Sequence, residues 1–195
     1  MTELPFTAED SWALWNLPNE SLDDKTDKER EELFANNYQP ETFPIELLPN
    51  DLEKHLKSVK YVLVGMNPGN AGDDHPAEGV FLNFHGQKKS ADSRLAAAVY
   101  GTAVWGAFMT DLSNTIDSDS TRIKFIEANV AQLEAHLDEL GIPRDATLIA
   151  MGKKTATALD QFATRPVAQI PHYSRANAHW NAADAHALLL SIGQK

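Results

Sequence analysis

The chain has 195 residues, 43% apolar and 23% charged, the balance of one water-soluble globular domain with enough material for a real core. It contains no cysteine, which excludes disulfides, thiol nucleophiles, cysteine zinc sites and thiolate-held iron–sulfur clusters. Its 17 basic and 28 acidic residues leave a formal charge of −11, at first sight the wrong sign for a polyanion such as DNA.

Residues 1–55 hold 14 acidic and 4 basic residues, with prolines at 5, 18, 40, 44 and 49. This predicts an acidic N-terminal arm of short helices packed on a second unit, residues 56–195. Trp12, Leu14 and Trp15 are its expected anchors, because such large apolar side chains are rarely left in water. The stretch from Asp23 to Glu32 is dense in both charge signs and reads as a solvated helix face. No apolar run reaches membrane-spanning length and the first residues carry no leader pattern, so the expectation is a cytoplasmic protein without a membrane partner.

From Val59 the pattern changes. Val59 to Val64 is short, β-branched and closed by Gly65, as a buried strand should be. Ser90 to Val104 is alanine-rich and predicts a helix. Gly106 to Leu112 reads as a second strand, although its length also allows a helix. From Thr121, apolar residues Ile123, Ile126, Val130, Leu133, Leu137 and Leu140 recur at helical steps of 3 and 4, with Gly141 and Pro143 as the stop. Ala146 to Met151 is a third strand, followed after Gly152 by a helix through Phe162; Arg165 to Ile170 is a fourth, and Ala182 to Ile192 a closing helix. Strands separated by helices predict an α/β fold, a three-layer α/β/α sandwich around a central, mostly parallel four-stranded sheet. Sites in such sheets gather at the carboxyl ends of the strands.

Those ends carry Gly65-Met66-Asn67-Pro68-Gly69, then Thr110-Asp111-Leu112-Ser113-Asn114, then Gly152-Lys153-Lys154-Thr155, then Pro171-His172-Tyr173-Ser174-Arg175-Ala176-Asn177. Two glycines around Asn-Pro make a tight loop that brings backbone near a ligand and fixes the Asn67 amide, although a plain turn has the same composition. His172 opens a polar loop where an imidazole can donate, accept or carry charge. Asp73, Asp74 and His75 read as a solvated turn rather than a metal site, and His85 is ambiguous. Gly152-Lys153-Lys154-Thr155 lacks the glycine spacing of a phosphate loop, and no Gly-x-Ser-x-Gly elbow is present. No metal and no cofactor are expected.

The Gly-Met-Asn-Pro-Gly loop after a buried strand, with His172-x-Ser174-x-x-Asn177 about a hundred residues later, resembles the uracil-DNA glycosylase superfamily, in particular its single-strand-selective monofunctional and mismatch-specific branches. The resemblance spans roughly residues 58–180. It departs from the family at His172-Tyr173-Ser174-Arg175, where the family has His-Pro-Ser-Pro, so both loop-stiffening prolines are missing. The resemblance implies that Asn67 orients a water near C1′ and that His172 stabilises the departing base anion, in the manner of an oxyanion hole. Gly65, Met66 and Gly69 then shape the loop, and backbone amides of Met66 or Asn67 share the load. Phe81 or Phe84 stacks on the base, Phe81 being the one favoured. Asp111 or Asn114 meets the base edge, and Ser174, Arg175 and Asn177 complete the substrate loop. The family places an asparagine where this chain has Asp111. A carboxylate only accepts, so Asp111 is protonated, or the base edge carries an extra donor, or Asn114 does the reading, or uracil is not the substrate; Asp111 as a simple helix cap stays open too.

The implied function is nucleobase recognition with hydrolysis of the N-glycosidic bond of a damaged or deaminated base in DNA. The alternative is an inactive member that binds a nucleobase, nucleotide or protein. The charge count by segment fits either, since residues 56–195 carry 13 basic and 14 acidic residues, near neutrality. That suits a single nucleobase or single-stranded or damaged DNA better than tight duplex binding.

Overall fold

The structure, a computed structural model, describes residues 9–68, 80–86, 90–115, 127–175 and 177–194. The run Val62, Leu63 and Val64 is apolar without alternation because each residue is wholly buried, one side of the strand against each helical layer. That strand, β2 (Tyr61–Gly65), lies at the centre of the sheet. It pairs in parallel with β3 (Phe108–Asp111) through Val62 and Phe108, and with β4 (Thr147–Met151) through Val62 and Leu148. β5 (Val167–Ile170) adds in parallel to β4. The segment whose length allowed either strand or helix is thus a strand. Pro166, which has no N–H for a ladder, precedes β5 and accounts for its start two residues later than Arg165.

The sheet has five strands and is mixed, in correction of the four-stranded, mostly parallel sheet expected. The fifth is β1 (Ser11–Trp12), which lies antiparallel to β3 in the register Ser11 to Met109 and Trp12 to Phe108. Two residues are too few to show alternation, so the strand exists by virtue of what it buries. Trp12 is fully enclosed, edge-on to Phe108 at 5.2 Å and stacked on His55 at 4.9 Å.

On one face Val62, Val64, Phe108 and Leu148 meet Val130, Leu133 and Leu137 of α4 (Glu127–Glu139) and Leu159 of α5 (Lys153–Phe162). On the other, Leu63, Met109, Ile149 and Met151 meet α3 (Ser93–Val99), Ala185 and Leu189 of α6 (Ala182–Ile192), and Phe34 of α1 (Asp27–Asn37). A short helix, α2 (Leu52–Leu56), and a single tight turn at Ile45–Leu47 complete the arm. Helix α3 is shorter than the predicted 90–104, because Tyr100 turns extended and Gly101 takes φ of 74°. The start predicted for α4, residues 121–126, lies outside the described residues.

The Asp23–Glu32 stretch is a largely exposed face, as expected, and is also tied to the body through Glu31. Thr26 and Glu29 form a reciprocal capping box at the start of α1. Glu31 then accepts from Arg94 Nε at 2.9 Å and Trp180 Nε1 at 3.0 Å. Helix α3 follows β2 on one face and α5 follows β4 on the other, so the crevice of a topological switch point lies between the carboxyl ends of β2 and β4.

Candidate functional site

His172 follows β5 at that end of the sheet. Its Nδ1 accepts from the Ser174 N–H at 3.0 Å, which leaves the ring proton on Nε2 in the neutral form. Burial holds its pKa below the usual histidine value, which favours that form. The loop is fastened without its prolines: Asn177 Nδ2 donates to the His172 carbonyl at 2.7 Å, and Asn177 Oδ1 accepts from the His179 N–H at 3.1 Å. The Tyr173 ring stacks on the imidazole at 4.8 Å, 16° from parallel. Gly152, with φ of 99°, lies beneath; a Cβ there would stand 3.2 Å from His172 Cβ. The imidazole therefore sits over the turn that ends β4, at the switch point. Ser174 contributes its backbone and is half-buried, while Arg175 is exposed.

At the ends of β2 and β3, Gly65, Phe84 and Asp111 come together. A Cβ on Gly65 would lie 2.2 Å from Asp111 Oδ1 and 2.8 Å from Phe84 Cε1, so only glycine fits. Asp111 Oδ2 accepts from Asn83 Nδ2 at 3.0 Å; Oδ1 is buried with no hydrogen-bond partner among the described residues. Burial, opposed by the Asn83 bond and reinforced by nearby Asp10, pushes the Asp111 carboxyl up to about 7. It is thus poised between acid and anion near neutral pH, and the simple helix-cap role lapses because no helix starts at Asp111 among the described residues. Phe81, favoured above as the stacking ring, belongs to the core at 1% exposure and packs on Phe43. Phe84 is the half-buried ring beside Gly65, held at φ of 69°.

Asn67 Nδ2 donates to Pro68 O at 3.0 Å and Thr115 O at 2.9 Å, stitching the loop after β2 to the loop after β3. Both amide protons are therefore engaged by backbone. Met66 beside it is half-buried. Asn67 and His172 lie at the same end of the sheet, as their strands run parallel. Asn114 is exposed and donates to Glu9 Oε2 at 3.0 Å, which ties it to the arm rather than to Gly65. Gly69, Asp73, Asp74 and His75 lie outside the described residues.

Sequence reasoning missed Asn83, Tyr173 and Asp92. Asn83 had a signal, since it stands between the two candidate phenylalanines. Asp92 had none: it looks like a cap for α3, yet it is 1% exposed and accepts from Tyr38 Oη, from Ser90 Oγ at 2.7 Å and from Trp15 Nε1 at 3.5 Å. Burial pushes its carboxyl up to about 6 against those hydrogen bonds. Tyr38 Oη also lies 2.9 Å from Gly86 O. One phenolic proton cannot serve two acceptors, so both contacts are satisfied when Asp92 carries a proton and donates to Tyr38. His85 is a core residue, with Nε2 at 3.2 Å from Trp12 O and a pKa pushed down to about 4 by burial.

Among the described residues, no group of three or more histidine and carboxylate side chains could hold a metal, and no helix is long and apolar enough to cross a membrane. Compared with protein-family models, with curated proteins and with solved structures, the chain matches none.

Proposed function

We propose that the protein is a uracil-DNA glycosylase-like hydrolase that recognises a nucleobase in single-stranded or damaged DNA and cleaves its N-glycosidic bond. The observation that carries this reading is His172, a neutral imidazole whose Nδ1 is engaged by backbone and whose Nε2–H is therefore the donor, at the switch point of a parallel sheet. In the reaction the C1′–N bond breaks and its electron pair passes to the base. Water adds to C1′, and the proton it gives up ends on the departed base anion, which leaves as the neutral free base. His172 Nε2–H bonds to the oxygen on which the base's negative charge develops, a stabilisation worth on the order of 10²–10³ in rate for one donor. With its amide protons on Pro68 and Thr115, Asn67 acts on the water through Oδ1 as an acceptor. Phe84 is the stacking ring, and Asp111 in its acid form offers one donor and one acceptor, as the family's amide does.

The test is release of free base from single-stranded DNA containing uracil or other deaminated bases. His172→Ala is expected to slow release roughly 10²-fold, and Asn67→Ala to slow it as well. No release from any of these substrates at enzyme excess overturns the catalytic reading. A second reading, a nucleobase-binding protein without catalysis, is favoured by the closure of Asp111 against Gly65 and Asn83 and by the engagement of both Asn67 protons. It expects a free base to raise the melting temperature without any turnover.

A further inference from the structure

On the α4 face of β3, opposite Phe84, a cleft of about 550 Å³ lies between the carboxyl end of that strand and the helix. Its volume falls in the range of small-molecule sites. Asn129, Gln132 and His136 line one wall. They stand three and four residues apart on α4, a polar stripe beside the apolar Val130, Leu133 and Leu137 that face the core. The loop after β3 lines the opposite wall with Ser113, Asn114 and Thr115.

The centre of the cleft is held from behind. His136 Nε2 lies 2.7 Å from Oδ2 of Asp10, a carboxylate with no exposed surface, while the His136 side chain is 32% exposed. Asp10 immediately precedes β1, so the pairing of Ser11 with Met109 fixes it in place. Nε2–H donates to Asp10, and Nδ1 has no partner among the described residues. The hydrogen bond to Asp10 favours the imidazolium, which makes Nδ1 a donor as well.

The charges at the walls restrict the occupant. When protonated, as the bond to Asp10 favours, the imidazole at the centre disfavours a cation. Glu9 at the rim, with Asp10 behind, disfavours an anion. Amides and hydroxyls, which both donate and accept, disfavour an apolar ligand. We propose that this cleft is a second binding site, for an uncharged polyhydroxylated ring such as a free sugar or the ribose of a nucleoside, with His136 as its central donor. The cleft meets the proposed base pocket at Asp111, whereas His136, Gln132 and Asn129 belong to the cleft and His172 and Phe84 to the pocket alone.

The experiment is isothermal titration of the intact protein with D-ribose and methyl β-D-ribofuranoside, which carry no base, and with inorganic phosphate and spermidine as charged probes. Saturable binding is expected for the two sugars and not for the charged probes. Affinity should fall about tenfold or more in His136→Gln, the loss of one good polar contact. Gln132→Ala, an exposed position that leaves the Asp10–His136 pair intact, should weaken it several-fold, and His172→Ala should leave it unchanged. The proposal is overturned by absence of sugar binding, by sugar binding undiminished in both cleft variants, by loss of binding in His172→Ala, or by phosphate or spermidine binding that His136→Gln abolishes.

Discussion

Gly65 shows how much of the candidate site depends on a missing side chain. Its Cα lies where a Cβ would collide with both Asp111 Oδ1 and the Phe84 ring. Gly65→Ala must push the carboxyl and the aromatic apart in a packed region, at an expected cost of about 1–3 kcal/mol. A urea titration will show it, and unchanged stability would mean that the neighbours move freely. The glycine was legible in the sequence as the close of a strand; its partner was not. Asp111 was legible as a polar residue at a strand end, but its bond to Asn83 joins residues 28 positions apart, beyond the reach of any local pattern. The choice of Phe81 over Phe84 failed for a related reason. Both rings are aromatic, close in sequence and in left-handed backbone, and it is long-range packing, including that of Phe43, that puts Phe81 in the core.

Among the elements, those with their own periodicity or composition were legible, and those defined by a partner were not. The apolar steps of α4 and the bounds of α6 could be read directly, and β2 and β4 announced themselves as buried strands. β1 could not, because two residues carry no period and their strand character comes from β3. Its energetic weight exceeds its length. Trp12 is fully buried against Phe108 and His55, so Trp12→Ala is expected to cost about 3–5 kcal/mol. Loss of the cooperative thermal transition, or a large drop in its midpoint, is the readout. A shift of only a degree or two would show that the strand is peripheral. Because Asp10 precedes β1 directly, the same substitution is also expected to loosen His136.

For the molecule as a whole, buried ionisable groups set opposing responses to pH. Asp92 and Asp111 have folded-state values raised to about 6 and about 7. The native state therefore binds more protons than the unfolded chain above the ordinary carboxylate range, and stability falls as pH rises through those values. His85, lowered to about 4, acts the other way and withdraws stability as pH falls below the ordinary histidine range. Asp111→Asn removes one of the two carboxylate contributions. Its stability relative to the parent protein is expected to rise between pH 5 and pH 8, by on the order of 2 kcal/mol. Urea midpoints measured across that range will reveal it, and parallel profiles would show that Asp111 is ionised throughout.

The antiparallel strap formed by Ser11 and Trp12 also orders events in time. Its partners, Phe108 and Met109, leave the ribosome only after nearly a hundred further residues, roughly 5–20 s at ordinary rates of synthesis. Until then Trp12 and Trp15 have no core to enter, and the nascent chain carries two unsheltered indoles that a chaperone or another chain can capture. The first strand of the finished sheet is the one that must wait, and a late, long-range closure of this kind is also a slow one.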